Sequence, residues 1–115
     1  MQLPGTFNDL IEQVQKGEHY KNLVLQLNKD FALASVHLDL QTSITPERLK
    51  AILHETIFSL IRNNFPDYLN LLYVVDVSEE KIKALDGSDA LKLSEHVSFL
   101  ILQRVWQKVW FRHFY

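Results

Sequence analysis

The stretch YLNLLYVVDVSEEKIKALDG, residues 68–87, decides between an all-α fold and a mixed fold. Its first half is rich in β-branched and aromatic residues, so 69–77 could be a buried strand with Ser78 capping a helix behind it. As one helix it places six side chains on a single face, namely Leu71, Val74, Val75, Ser78, Ile82 and Leu85. Glu79 and Lys83 lie opposite, four residues apart, as in a favourable ion pair. This register predicts a continuous helix over 71–85, with the strand as the alternative.

The chain before this stretch also predicts helices. Thr6 is a candidate N-cap for a first helix that ends at Gly17, and a second amphipathic helix is expected to start at Glu18. Thr45, followed by a proline, is the clearest start of a third helix. That helix should end near residues 63–64, because the next proline disfavours helical geometry just before it. Between the second and third helices, residues 35–41 form either a short strand or an extended connector.

The last predicted helix covers ALKLSEHVSFLILQRVWQKVWFRHF, residues 90–114, with Ser88 or Asp89 as its cap. A broad apolar face contains Phe99, Leu102, Val105, Trp106, Val109 and Trp110. A narrow stripe of basic residues, each four apart, lies beside it. The prediction is a single all-α domain over 1–115, a compact bundle of four to five mostly antiparallel helices; the alternative is an α+β fold with strands near 35–41 and 69–77.

Composition narrows the functional classes. The chain has 115 residues, 47% of them hydrophobic, and a formal net charge of −2, so nothing in the overall charge attracts nucleic acid or an anionic membrane. It has no cysteine, which excludes disulfides and thiolate chemistry. No secretory signal begins the chain, and its longest uncharged apolar stretch is far short of the ~20 residues that span a bilayer. We therefore expect no transmembrane segment and a cytoplasmic location.

Two segments, FPDYLNLLYVVDVSEEKIKAL (65–85) and LILQRVWQKVWFRHFY (100–115), resemble parts of small uncharacterised helical proteins from Bacteroidetes. The similarity covers the last half of the chain. It implies a helical domain that stands alone, and it carries no motif tied to a chemistry.

The sequence contains no pattern typical of a metal site or a catalytic centre. The five histidines lack the one-turn partners that a helical metal site needs, so no metal and no cofactor is expected. There is no G-x-S-x-G turn and no glycine-rich phosphate loop. Ser94 and Ser98 flank His96, but nothing supplies a third, orienting group. We expect that the protein is not an enzyme.

The stretch WQKVWFRHFY, residues 106–115, is the locally biased feature of the chain, with five aromatic residues and no acidic one. Without the basic stripe of Arg104, Lys108 and Arg112, the chain would have a net charge of −5, nine basic against fourteen acidic residues. The aromatic residues either belong to the core or meet another chain, since aromatic residues and arginine are favoured at interfaces. Trp106 lies at the centre of the apolar arc and should be buried.

These features predict a small protein-interaction module that self-associates through its last helix, with a dimer favoured among the homo-oligomers, or that binds another protein. The candidate contact residues are Arg104, Trp106, Lys108, Trp110, Phe111, Arg112, Phe114 and Tyr115. The alternative is a nucleic-acid or anionic-surface binder that uses the same helix, although three charges are few for such binding. An enzyme with a pocket between helices is the third possibility.

Overall fold

The computed structural model describes residues 2–114, and these residues form six α-helices and no strand. The helices are α1 (Phe7–Lys16), α2 (Tyr20–Leu33), α3 (Pro46–Asn63), α4 (Phe65–Val75), α5 (Glu79–Lys83) and α6 (Ala90–Phe114). The long helix α6 packs most extensively on α3 and also contacts α1, α2 and α4. The all-α prediction is confirmed, with the short α5 as an addition to the four to five helices expected.

Residues 69–75 are helical, which excludes the strand near 69–77, but the continuous helix predicted over 71–85 is wrong. Helix α4 ends at Val75, and Asp76 adopts the left-handed conformation with φ 68°. The N–H of Val77 then donates to the Leu72 carbonyl at 3.1 Å, which closes a Schellman motif. Ser78 caps the separate helix α5. The single apolar face predicted from the sequence is therefore shared between two helices that pack on one core.

The start of the second helix also differs from the prediction. It begins at Tyr20, because Glu18 has a φ of 58° and the His19 N–H donates to the Val14 carbonyl at 2.9 Å. Gly17 precedes this turn with a φ of −85°, and a Cβ at that position would lie 3.1 Å from Cδ2 of His19. A side chain at Gly17 would therefore crowd the His19 ring, which would have to shift by a few tenths of an ångström, whereas the backbone at Gly17 is not left-handed.

A third turn of the same type ends α2. Ser35 has a φ of 62°, and the Val36 N–H donates to the Phe31 carbonyl at 2.8 Å. The chain beyond it forms neither helix nor strand over 36–41, and Asp39 interrupts it with a φ of 50°. The Asn28 side chain bonds both backbone groups of Leu40, accepting from its N–H at 2.9 Å and donating to its carbonyl at 2.8 Å. Residues 35–41 are therefore a connector, not a strand, and a side chain of α2 holds it.

The predicted starts of α1, α3 and α6 are confirmed. Thr6 and Thr45 each accept a hydrogen bond on Oγ1 from a backbone N–H three residues on, at 3.1 and 3.2 Å. Asp89, one of two candidate caps for α6, accepts two backbone N–H groups on Oδ1 at 3.0 and 3.2 Å. Each cap satisfies amides that have no partner inside the helix.

Helix α6 is the central element of the core. Its buried residues are Ser94, Val97, Ser98, Ile101, Leu102, Val105, Trp106 and Val109. The two buried serines donate to carbonyls of their own helix, Ser94 to Leu91 at 2.6 Å and Ser98 to Ser94 at 2.7 Å. Both hydroxyl groups therefore have a hydrogen-bond partner within α6, and the two serines add little side-chain volume to its buried face. Among the described residues, no helix is both long enough and apolar enough to cross a membrane.

The cap of α3 provides a test of this local structure. Replacing Thr45 by alanine removes the acceptor for the Arg48 N–H, so the free energy of unfolding should fall by about 1 kcal/mol. Thr45→Ser keeps a hydroxyl at the same position and should stay close to the parent protein. Chemical denaturation followed by circular dichroism measures both. Equal midpoints for Thr45→Ala and the parent would show that this hydroxyl does not stabilise the helix.

Candidate interaction surface at the end of α6

The first residue of the basic stripe is bound to the turn that ends α4. The Arg104 guanidinium donates to the Asp76 carbonyl and to its carboxylate, both at 3.1 Å, and to the Gln107 side chain at 3.3 Å. The ion pair is partly exposed, since 30% of the Arg104 side chain and 78% of the Asp76 side chain are accessible. Arg104 therefore links α6 to the end of α4, and three of its hydrogen bonds are made inside the domain.

The second residue of the stripe is also used inside the domain. Lys108 Nζ lies 2.9 Å from Oδ2 of Asp30, a buried carboxylate on α2. The other oxygen of Asp30 accepts from the Gln26 side chain at 2.8 Å. A buried charge requires such compensation, since desolvation without a partner costs several kcal/mol. Lys108 thus neutralises a core carboxylate.

Arg112 is the member of the stripe that stays exposed and has no ion pair among residues 2–114. Together with Lys29 and His113 it lines a small cavity of about 150 Å³ between α2 and α6. The three basic residues of the stripe therefore differ in their contacts. Two form internal ion pairs, and one is available at the surface.

Trp106 is only 1% exposed, so the prediction that it is buried is confirmed. Its indole N–H is buried without a hydrogen-bond partner in the described part of the chain. The His19 ring packs against it with the ring centroids 5.9 Å apart, and His19 also lies 4.6 Å from the ring of His113. Trp106 thus belongs to the core and cannot touch a partner, although it is one of the predicted contact residues.

The aromatic residues beyond Trp106 leave the core. Trp110 is half-buried and stacks on Phe114, with the ring centroids 5.0 Å apart, while Phe111 meets its edge at 5.2 Å. Phe111 and Phe114 are 42% and 58% exposed. Tyr115, the last predicted contact residue, lies outside the described residues. The structure therefore brings Trp110, Phe111 and Phe114 together as an aromatic cluster at the end of α6.

A separate cleft of about 460 Å³ lies between α3, α6 and the start of α1. Its lining includes Lys50, His54, Glu95 and His96. Burial lowers the pKa of His54 below its ordinary value, with Glu95 raising it and Lys50 lowering it. No three carboxylate or imidazole groups among the described residues are arranged to hold a metal ion. The cleft is the place where an inter-helix active site would have to lie, and the hydroxyl on its wall, that of Thr6, caps α1.

The ion pairs of α6 predict a graded response to substitution. Lys108→Met leaves the Asp30 carboxylate buried without its cation and should lower the free energy of unfolding by about 2 kcal/mol. Arg104→Gln breaks a partly exposed pair and should cost at most about 1 kcal/mol. Arg112→Gln serves as the matched control and should stay within about 0.5 kcal/mol. We expect urea denaturation to show the largest loss of unfolding free energy for the Lys108 variant and the smallest for the Arg112 variant. Equal losses at all three positions would contradict the prediction.

The lowered pKa of His54 predicts a dependence of stability on pH. Because the folded state favours neutral His54, its contribution is fully present above the unfolded pKa of about 6.5 and is lost as the pH falls through the folded pKa. His54→Gln should therefore flatten the fall in melting temperature between about pH 7 and pH 5. His37, which is exposed, supplies the control His37→Gln. A slope that His54→Gln leaves unchanged would assign the acid sensitivity to other groups.

No protein-family model, curated protein or solved structure matches the chain. The resemblance to small helical proteins from Bacteroidetes stays an expectation from the sequence. The geometry at the end of α6 is what supports a function.

Proposed function

We propose that the protein is a small helical protein-interaction module that self-associates as a dimer through the end of α6. The observation that carries the proposal is the aromatic cluster of Trp110, Phe111 and Phe114, two of whose rings are about half exposed. Aromatic side chains held by one another are rigid, so little conformational entropy is lost when a partner covers them. Burial of such a side chain contributes roughly 1.5–3 kcal/mol.

Arg112 suits the rim of such a contact. It is exposed beside the aromatic cluster, and arginine is enriched with aromatic residues at interface hot spots. Charges at a rim steer association and orientation more than they add affinity. Phe111 and Phe114 therefore supply the energy of the proposed contact, and Arg112 its orientation.

The ion pairs of the stripe weigh against nucleic-acid or anionic-surface binding as the function. Such binding depends on several cations that release counterions from phosphates. Arg104 and Lys108 face the carboxylates of Asp76 and Asp30 instead, so that Arg112 alone of the stripe stays available. An enzyme working in the cleft beside His54 is the third candidate, and no further observation favours it.

Light scattering over a concentration series tests the proposal. We expect a mass that rises from one copy toward two with increasing concentration and changes little with salt, since apolar contacts are not screened. The double variant Phe111→Ser, Phe114→Ser should remain monomeric at concentrations where the parent is dimeric. Leu91→Ser is the matched control, because Leu91 is as exposed as Phe114 but lies at the opposite end of α6.

Two results would overturn the proposal. A parent protein that stays monomeric at every concentration would exclude self-association. A dimer that dissociates steeply as salt is added, or binds phosphate polymers in low salt, would favour the charged residues over the aromatic cluster and restore the alternative.

A further inference from the structure

We infer that the second copy docks on the exposed face of α4, in continuity with Phe111, and that the two copies of α4 pair antiparallel around Leu69. This inference rests on the proposed self-association and identifies a surface for it that lies outside α6. The exposed face of α4 was not among the residues predicted from the sequence.

The exposed face of α4 is apolar along the whole helix. Phe65, Leu69 and Tyr73 are spaced four residues apart, and they are 49%, 51% and 83% exposed. The opposite side of the helix supplies the core, with Tyr68, Leu71, Leu72 and Val75 buried. Helix α4 is thus apolar on both sides, which is unusual for a helix at the surface of a monomer. A stripe of this kind indicates a surface that another chain covers.

A groove gives this stripe a shape that a helix can enter. It has a volume of about 690 Å³ and lies between α4 and α5, with Leu69, Leu72, Tyr73 and Ile82 among its walls. Val77 extends this apolar wall, while Asp76, Ser78, Glu79 and Lys83 form a polar edge with charges of both signs. An apolar partner side chain inserted there would contact the apolar wall. Such an enclosed contact contributes more than the same side chain on a flat surface.

The groove is continuous with the end of α6. Residues 76–78, the turn between α4 and α5, line both this groove and a neighbouring cleft of about 580 Å³. Leu100 and Phe111 of α6 form part of the wall of that second cleft. A partner seated on α4 would therefore reach Phe111 across the turn at Asp76, and the two exposed regions form one surface.

The area of this surface fits a dimer. A standard interface buries about 800 Å² on each partner, of which roughly 450 Å² is apolar. The exposed fractions of Phe65, Tyr73 and Phe111 supply roughly 350 Å² at 150–250 Å² per aromatic side chain. The exposed half of Leu69 brings the total close to the apolar area of such an interface.

The charges favour a second copy as the occupant. The chain is acidic overall, so most faces of two identical molecules repel each other. The exposed arc of α4 contains Phe65, Pro66, Leu69, Asn70 and Tyr73 and carries no charge. Two copies related by a two-fold axis meet through the same patch, which must therefore be compatible with itself. An uncharged apolar stripe meets this requirement.

The same symmetry fixes the centre of the contact. In an antiparallel pair of identical helices, the axis passes through the middle of the contact stripe. On α4 the middle is Leu69, between Phe65 and Tyr73. The axes of packed helices lie 8–10 Å apart, and facing Cα atoms project from these axes toward each other. At the centre of the contact the two Cα atoms therefore come within the range of a disulfide, below about 7 Å.

Two kinds of variant test the inference by light scattering and cross-linking. Leu69→Glu places like charges across the axis, and Tyr73→Glu places a carboxylate against the partner's Phe65. Each should weaken the dimer about tenfold or more, with helicity by circular dichroism unchanged. Leu33→Glu is the matched control, since Leu33 is 66% exposed and lines neither the groove nor the cleft. Because the parent has no cysteine, Leu69→Cys should form a disulfide-linked dimer under mild oxidation, and Leu33→Cys should not.

The outcomes separate this inference from the proposed function. If the parent dimerises and the variants at Phe111 and Phe114 are monomeric, but Leu69→Glu dimerises normally and Leu69→Cys does not cross-link, the α4 surface is excluded and the function stands. If the parent is monomeric at every concentration, the proposed function fails and this inference fails with it. Should Tyr73→Glu not fold, cross-linking of Leu69→Cys decides the question in an otherwise native surface.

Discussion

The burial of one face of α6 by four other helices is the constraint on which the rest of the fold depends. Two consecutive turns of α6 are also tied by three polar side chains to three different parts of the chain. Gln103 donates to the Pro4 carbonyl at 2.6 Å, Arg104 binds the end of α4, and Lys108 binds Asp30 on α2. Apolar burial alone would tolerate a shift of one turn along the helix. These directional contacts select a single register for the bundle.

The starts of α1, α3 and α6 could be predicted from the sequence, because each depends on a side chain and a backbone amide within four residues, as at Thr45. The start of α2, which has no side-chain cap, was predicted two residues too early. The end of α1 at Gly17 was also predicted, but the left-handed turns at Ser35 and Asp76 contain no glycine and gave no local stop signal in the sequence. For the same reason the break after Val75 was missed. A pattern of apolar positions does not distinguish one helix from two that pack on the same core.

The candidate site was predictable in position but not in its partners. The helical wheel placed Trp106 in the core and Arg104, Lys108 and Arg112 in one row, as observed. It gave no sign of Asp76 and Asp30, which lie 28 and 78 residues away in the chain. The exposed face of α4 was missed because the sequence analysis followed only the face of Leu71, Val74 and Val75 and gave Phe65, Leu69 and Tyr73 no role. The sequence did contain a signal for this face. Phe65, Leu69 and Tyr73 are spaced four residues apart, and they form an apolar arc separate from that of the buried residues of α4.

The left-handed turns have a consequence for the unfolded chain. In residues 2–114, every positive-φ position is occupied by a residue with a side chain, and none by glycine. Such a residue is strained by roughly 1–2 kcal/mol in this conformation. It also samples fewer backbone conformations than glycine before folding, so it loses less entropy when the turn forms. The turns after α1, α2 and α4 therefore have two opposing effects on stability. Their backbone is strained in the folded protein, and the same residues restrict the backbone of the unfolded chain. The turns of the bundle are thus conformationally restricted in both states.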